Sequence, residues 1–185
     1  MTLSTVAVDD PVLASREQQI IAHVNASPGR QIFTSNGTFS VPNGVHKFRV
    51  FLAAGGAGGR PYTTGGGGED SYIIPGAAGN SAHMASCDFS GVDIGTSFAV
   101  TIGAGGAGPD GSGGSTSFGS TFSATGASTG GKGTVTFPSG DVRASYHGNA
   151  MYANSAGRGY GQGGDGYDGV GGGSAGTQGV VVVEW

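Results

Sequence analysis

Glycine is distributed so unevenly along this chain that it divides the molecule in two. Of 41 glycines in 185 residues, only three (Gly29, Gly37 and Gly44) lie before Gly55. Glycine loses more backbone entropy on folding than any other residue and has no side chain to bury. A region this rich in it either stays disordered or orders through backbone-to-backbone contact. Disorder goes with high net charge and few aromatic residues, whereas the net charge here is −4 and all six tyrosines fall in the Gly-rich part. Order is expected there, carried by main-chain contacts more than by a bulky apolar interior.

The first residues read differently. Asp10 suits a helix N-cap, Pro11 the first helical position, and Pro28-Gly29 a stop, which predicts a helix starting near residue 12. Leu13, Ile20 and Val24 make a narrow apolar stripe on it. So short a helix is marginal alone in water. Residues 1–30 are therefore read as an attachment segment that docks on its own domain, on a partner, or on copies of itself. Residues 31–185 form the second unit, a Gly-rich β domain.

Strand signals open that unit. Ile32-Phe33-Thr34 and Thr38-Phe39-Ser40-Val41 flank the turn-like Ser35-Asn36-Gly37, and Pro42-Asn43-Gly44 is a further turn signal. Phe48, Val50, Leu52 and Ala54 alternate with Lys47, Arg49, Phe51 and Ala53, the period of a half-buried strand, and run into Gly55-Gly56-Ala57-Gly58-Gly59. The pattern recurs where Phe98–Ile102 runs into Gly103–Gly108, and Ser115–Gly119 with Thr121–Ala124 makes another candidate pair. Val180–Val183 is continuously apolar, as in a strand buried on both faces. The expected class is all-β and β-sandwich-like.

For the glycine runs two forms fit. Unbroken collagen-type repetition is absent, but Gly163, Gly166, Gly169 and Gly172 recur every third residue. A polyproline-II-type helix has three residues per turn and no internal hydrogen bonds. Several such polyglycine-II helices can pack and bond laterally through their backbones, satisfying their peptide groups. Ordered Gly-rich surface loops are the other form.

The chemistry-bearing residues exclude more than they suggest. The single Cys87 forms no internal disulfide and suits a small apolar niche. Weak acidity argues against nucleic acid as a partner. No signal-peptide pattern opens the sequence, and the Val180–Val183 run is too short to span a bilayer, so assembly in a cytoplasm is expected. Gly103–Gly108 fits a dinucleotide fingerprint, but Pro109-Asp110-Gly111 cannot supply the helix that fingerprint needs. Residues 163–171 match one calcium-binding β-roll repeat without the tandem copy that shares each ion. His23, His46, His83 and His147 are scattered without metal-ligand spacing, and Asp88 and Asp93 form no readable acid pair. No cofactor, metal or enzymatic activity is expected.

Four pieces in order resemble the glycine-rich domains of tailed-bacteriophage tail-fibre and receptor-binding (adhesin) proteins. They are Phe39–Val45 leading into Phe48–Leu52, Phe98–Gly106, Gly113–Gly119 with Ser123–Gly126, and Gly176–Trp185. The resemblance spans roughly residues 33–185 and implies a module at or near a fibre end, in a virion assembled in the host cytoplasm. It implies other tail-fibre proteins as partners, no membrane insertion, and loops that bind a host surface protein or glycan. A homotrimer or a single docked copy per fibre both fit. The N-terminal segment departs from the pattern in having no obvious fibre shaft.

On a scaffold of glycine, recognition falls to the side chains that loops project. Arg60 and Tyr62 interrupt the first Gly block, and the stretch 146–154 brings Tyr146, His147, Asn149, Tyr152 and Asn154. Arg158, Tyr160 and Tyr167 follow, with the Glu69–Tyr72 stretch a weaker candidate. Tyr, Asn and Arg combine large contact area with adaptable hydrogen bonding; the same tyrosines equally suit plugging the module together. The expected function is receptor binding at a fibre tip, and the rival is a purely structural virion protein, a fibre adaptor or cap.

Overall fold

The computed structural model describes residues 29–65, 72–74, 76–139, 144–149, 160–164 and 173–185. The expected N-terminal helix with Leu13, Ile20 and Val24 lies outside them. Among the described residues the chain is all-β. In chain order its strands are β1 (Arg30–Phe33), β2 (Gly37–Ser40), β3 (Lys47–Ala53), β4 (Thr63–Gly65), β5 (Tyr72–Ile74) and β6 (His83–Ser90). Then come β7 (Ser97–Thr101), β8 (Thr116–Phe118), β9 (Phe122–Ala124), β10 (Val135–Thr136), β11 (Ala144–Asn149) and β12 (Val180–Glu184).

Two five-stranded antiparallel sheets result, ordered β1-β12-β3-β6-β11 and β10-β9-β8-β7-β2, with β4-β5 a separate hairpin. The period-2 signal at residues 47–54 and the pairing of 115–119 with 121–124 appear as expected, in β3 and in the β8–β9 ladder. The break at Ser35-Asn36-Gly37 carries the chain from the first sheet to the second, since β1 pairs with β12 and β2 with β7. Asn36 Oδ1 fixes the crossing by accepting the Ile102 N–H at 2.8 Å. One loop reading is corrected in part: of the stretch 146–154, residues 150–154 lie outside the described residues, and residues 146–149 belong to the edge strand β11. Its ladder to β6 pairs Tyr146 with Ala85 and Asn149 with His83, and the irregularity between Tyr146 and Gly148 hides its period in the sequence.

Contrary to the expectation of little apolar interior, a conventional core fills the space between the sheets. Phe48, Val50 and Leu52 of β3 and Val181 and Val183 of β12 meet Phe39, Val100, Phe118 and Phe122 from the second sheet, all buried. Phenylalanine rings join the layers: Phe48 of the first sheet meets Phe39 at 5.2 Å and Phe98 at 5.7 Å, both edge-on, and Phe89 meets Phe118 at 5.4 Å. Burial of each such side chain stabilises by about 1.5–3 kcal/mol. On the other face of the first sheet, Val180 and Val182 join Ala53 and Met84 in a second buried cluster. The run Val180–Val183 is therefore covered on both sides, as its uninterrupted apolar character predicts.

The same outer face carries a ladder of alternating charge. Register places Arg30 opposite Glu184, Glu184 opposite Arg49, and Arg49 opposite Asp88. Arg30 meets Glu184 at 3.6 Å, and the Arg49 guanidinium grips Asp88 through both carboxylate oxygens, Nη2 to Oδ2 at 2.9 Å. That grip, first through the hydrogen bond and then through the charge, raises the Arg49 pKa further.

Between strands, Gly-rich segments leave one end of the sandwich: residues 54–60 after β3, 102–110 after β7, 76–82 before β6, 111–115 before β8 and 173–179 before β12. They bond to one another with a period of three. The N–H groups of Gly55 and Gly58 donate to the carbonyls of Gly114 and Gly111, at 3.0 and 2.7 Å. Those of Gly56 and Gly59 reach Thr177 and Ser174, both at 2.9 Å, and those of Ala57 and Arg60 reach Asn80 and Ala77, at 2.9 and 2.8 Å. Each advance of three residues along the central segment meets a step of three back along a neighbour, so the neighbours run antiparallel to it. Six consecutive donors are thus satisfied without any strand ladder. Such proximity leaves no room for a side chain at the glycines where segments touch: a methyl on Gly55 would overlap the carbonyl of Ala104, and one on Gly163 that of Gly79.

Gly55→Ala should therefore destabilise by at least about 2 kcal/mol, as overpacking does. Gly131→Ala, where a methyl meets nothing within 4 Å, should stay within about 0.5 kcal/mol of wild type. Denaturant midpoints of the two variants check this; equal stabilities would refute the close-packed arrangement.

Candidate recognition surface

Because the Gly segments all leave one end of the sandwich, their far ends converge away from it. There the Arg60 N–H donates to the Ala77 carbonyl at 2.8 Å and the Asp110 N–H to that of Gly59 at 3.2 Å. The two side chains meet across the tip, Arg60 Nε to Asp110 Oδ1 at 3.3 Å, with about half of each exposed (52% and 51%). Asp110 sits at φ 60°, a left-handed conformation that Asp tolerates better than most residues. Half-buried Pro61 and Tyr62 lead into the β4–β5 hairpin, which pairs Thr63 with Ile74, and Ile74 is 44% exposed.

The predicted site residues do not form one cluster. Arg60 and Tyr62 stand together at the tip. Tyr160 is elsewhere: it packs against the outer cluster of Ala53, Met84, Val180 and Val182 on the first sheet. Its neighbour Gly161 is clamped there, donating to the Gln178 carbonyl at 2.7 Å and accepting from the Ala82 N–H at 2.8 Å. Tyr146, His147 and Asn149 belong to the edge strand β11. Tyr152, Asn154, Arg158, Tyr167, Glu69 and Asp70 lie outside the described residues. Sequence reasoning missed Asp110 and Ile74 at the tip. The turn triplet Pro109-Asp110-Gly111 carried the first, but which segment that turn would face is not written in it.

An exposed ion pair, a half-buried tyrosine and a short hairpin offer contact surface. They place no nucleophile beside a base. Cys87 is fully buried between the layers, and desolvation, with Asp88 adding to it, pushes its thiol up to about 11. No group of three His, Cys, Asp or Glu able to hold a metal occurs among the described residues, and no helix among them is long and apolar enough to cross a membrane. No protein-family model and no curated protein matches the sequence.

Two outcomes follow from these placements. Tyr160→Ala, which uncovers part of a sheet face, should lower stability by about 1–2 kcal/mol, whereas Arg60→Ala at an exposed pair should cost no more than about 1 kcal/mol; thermal melts of the two variants compare them. Since the folded Cys87 thiol ionises at higher pH than an unfolded one, its contribution is complete below the unfolded value near ~8.5 and is lost as pH rises through about 11. Stability measured from pH 7 upward should fall more for wild type than for Cys87→Ala over that interval.

Proposed function

We propose that the chain is a receptor-binding module at or near the tip of a tailed-phage fibre, recognising a host surface structure and catalysing nothing. The observation that carries this reading is the far end of the glycine array. Main-chain hydrogen bonds at a three-residue period hold Arg60 at the end of the array, where Asp110 pairs with it, and Tyr62 and the β4–β5 hairpin follow directly in the chain. Loops on a rigid frame are where recognition residues concentrate. The period of three and the lack of room for a methyl at Gly55, Gly56 and Gly58 support reading the glycine runs as packed polyglycine-II helices rather than ordinary loops. The resemblance of the four sequence pieces to phage adhesin domains supports the placement on a fibre. The segment 1–30, with Leu13, Ile20 and Val24, serves in this reading as the attachment to other fibre proteins, at the opposite end of the chain from the array.

The rival, a structural adaptor or cap, gains from Tyr160, whose side chain packs against the outer cluster of the first sheet. Binding of the purified protein to susceptible cells separates the two. Receptor binding predicts saturable attachment that falls at least about tenfold, ~1.4 kcal/mol, in the double variant Arg60→Ala/Tyr62→Ala. Tyr146→Ala/Tyr152→Ala reports on the β11 region in the same assay. No attachment by wild type, with particle assembly dependent on residues 1–30, would establish the structural role instead.

A further inference from the structure

The outer face of the second sheet differs in kind from the outer face of the first. Register aligns Thr136, Ser123, Ser117 and Thr101 in one row across β10, β9, β8 and β7. Ala99 stands opposite Thr38, and Ser97 opposite Ser40, in the rows beside it. The alternate residues of these strands, Phe39, Val100, Phe118, Phe122 and Ala124, point into the core. The result is a five-strand face made of hydroxyls and one methyl, without a charge and without a large apolar group. The first sheet's outer face, by contrast, carries a four-residue charge ladder and a buried apolar cluster.

We propose that this face binds an uncharged polyhydroxylated chain, that is, a neutral glycan. Three observations converge on that ligand. First, a surface destined for another protein's core has apolar or aromatic anchors, and an anion site has cations; this face has neither. Its neutrality in a chain with 20 charged residues matches an uncharged ligand. Second, each serine or threonine hydroxyl donates one hydrogen bond and accepts others. Ser40 and Ser97 bond to each other at 3.1 Å, and the row Thr101–Ser117–Ser123–Thr136 presents its hydroxyls outward at strand spacing, about 4.8 Å. Small side chains also keep the face flat, so an extended ligand can lie across several strands.

Third, the face continues into a depression. An open hollow of about 580 Å³ is lined by Ser97, Phe98, Ala99, Gly119, Ser120 and Thr121, within the size range of small-ligand sites. It exists because the β8–β9 turn, with Gly119 at φ 61°, is held beside β7 by the Gly119 N–H donating to the Ala99 carbonyl at 2.8 Å. Half-buried Phe98 gives this hollow an apolar edge among hydroxyls, the pairing that the C–H and O–H faces of a sugar ring require. Ser97 and Ala99 belong to both hollow and face, so the two form one continuous surface. The site is separate from the array tip and does not depend on the fibre-tip reading.

The test uses the full chain on an array of immobilised neutral and acidic oligosaccharides. Retention on neutral glycans, unaffected by added salt, is expected. Ala99→Lys and Thr101→Lys, each at an exposed position, should weaken it at least about tenfold with thermal stability unchanged, while Arg60→Ala/Tyr62→Ala leaves it intact. Two face variants guard against misfolding of either. Absence of retention on every neutral glycan overturns the proposal, as does retention that survives both lysine variants or that is confined to acidic glycans and lost in salt. A dimer that Thr101→Lys dissociates, with no glycan bound, would show the face to be a contact between copies and equally overturn it.

Discussion

The arrangement of this molecule depends on six consecutive backbone donors, from Gly55 to Arg60, that find acceptors on three different neighbouring segments in rotation. A β-ladder uses the two edges of a strand. A segment that turns once in three residues faces outward in three directions and can be surrounded. Its peptide groups must then all be met by neighbouring segments, because burial without partners is costly. That requirement fixes the spacing of the neighbours, and the spacing in turn excludes side chains where the segments touch. Glycine is needed here for close approach more than for unusual dihedrals.

Such an array has little apolar surface of its own to offset the entropy of ordering it. The sandwich supplies what it lacks. β3, β7 and β9 lead into the Gly-rich segments and β6, β8 and β12 lead out of them, all at one end of two layers joined by phenylalanine rings. The antiparallel pairing of β3 with β6 and β12, and of β7 with β8, holds the segment ends side by side before a single inter-segment bond forms. Packing on one end thus pre-orders hydrogen bonding on the other. The arrangement also separates three surfaces: an array tip with an exposed ion pair, one sheet face with charges and an apolar cluster, and one with hydroxyls and a single alanine methyl.

Much of the fold was legible where a side-chain period exists. The alternation at Phe48–Leu52, the Val180–Val183 run and the β8–β9 pair each stand as strands where the sequence placed them. β6 was not legible, although it is a central strand of its sheet. Its residues His83-Met84-Ala85-Ser86-Cys87-Asp88 mix small and polar types, and Met84, Ala85, Ser86 and Cys87 are all buried, so no contrast between faces reaches the sequence. β11 was taken for a loop because its bulge at His147 breaks the period. The candidate site was legible in part: Arg60 and Tyr62 stand out against glycine, while Asp110 and Ile74 join them only through the folding of distant segments.

Composition and local pattern alone determined that the described residues are all-β, that the glycine runs among them order through the backbone, and where several of the strands lie. These follow from side-chain size and period, properties each residue carries wherever it sits. Only the tertiary structure decided which sheet each strand enters, which segments surround residues 55–60, that Tyr160 packs on a sheet face, and that eight scattered small residues form one uncharged surface. Those outcomes depend on register between segments far apart in the chain. Glycine, serine and alanine have almost no side chain with which to record that register in the sequence.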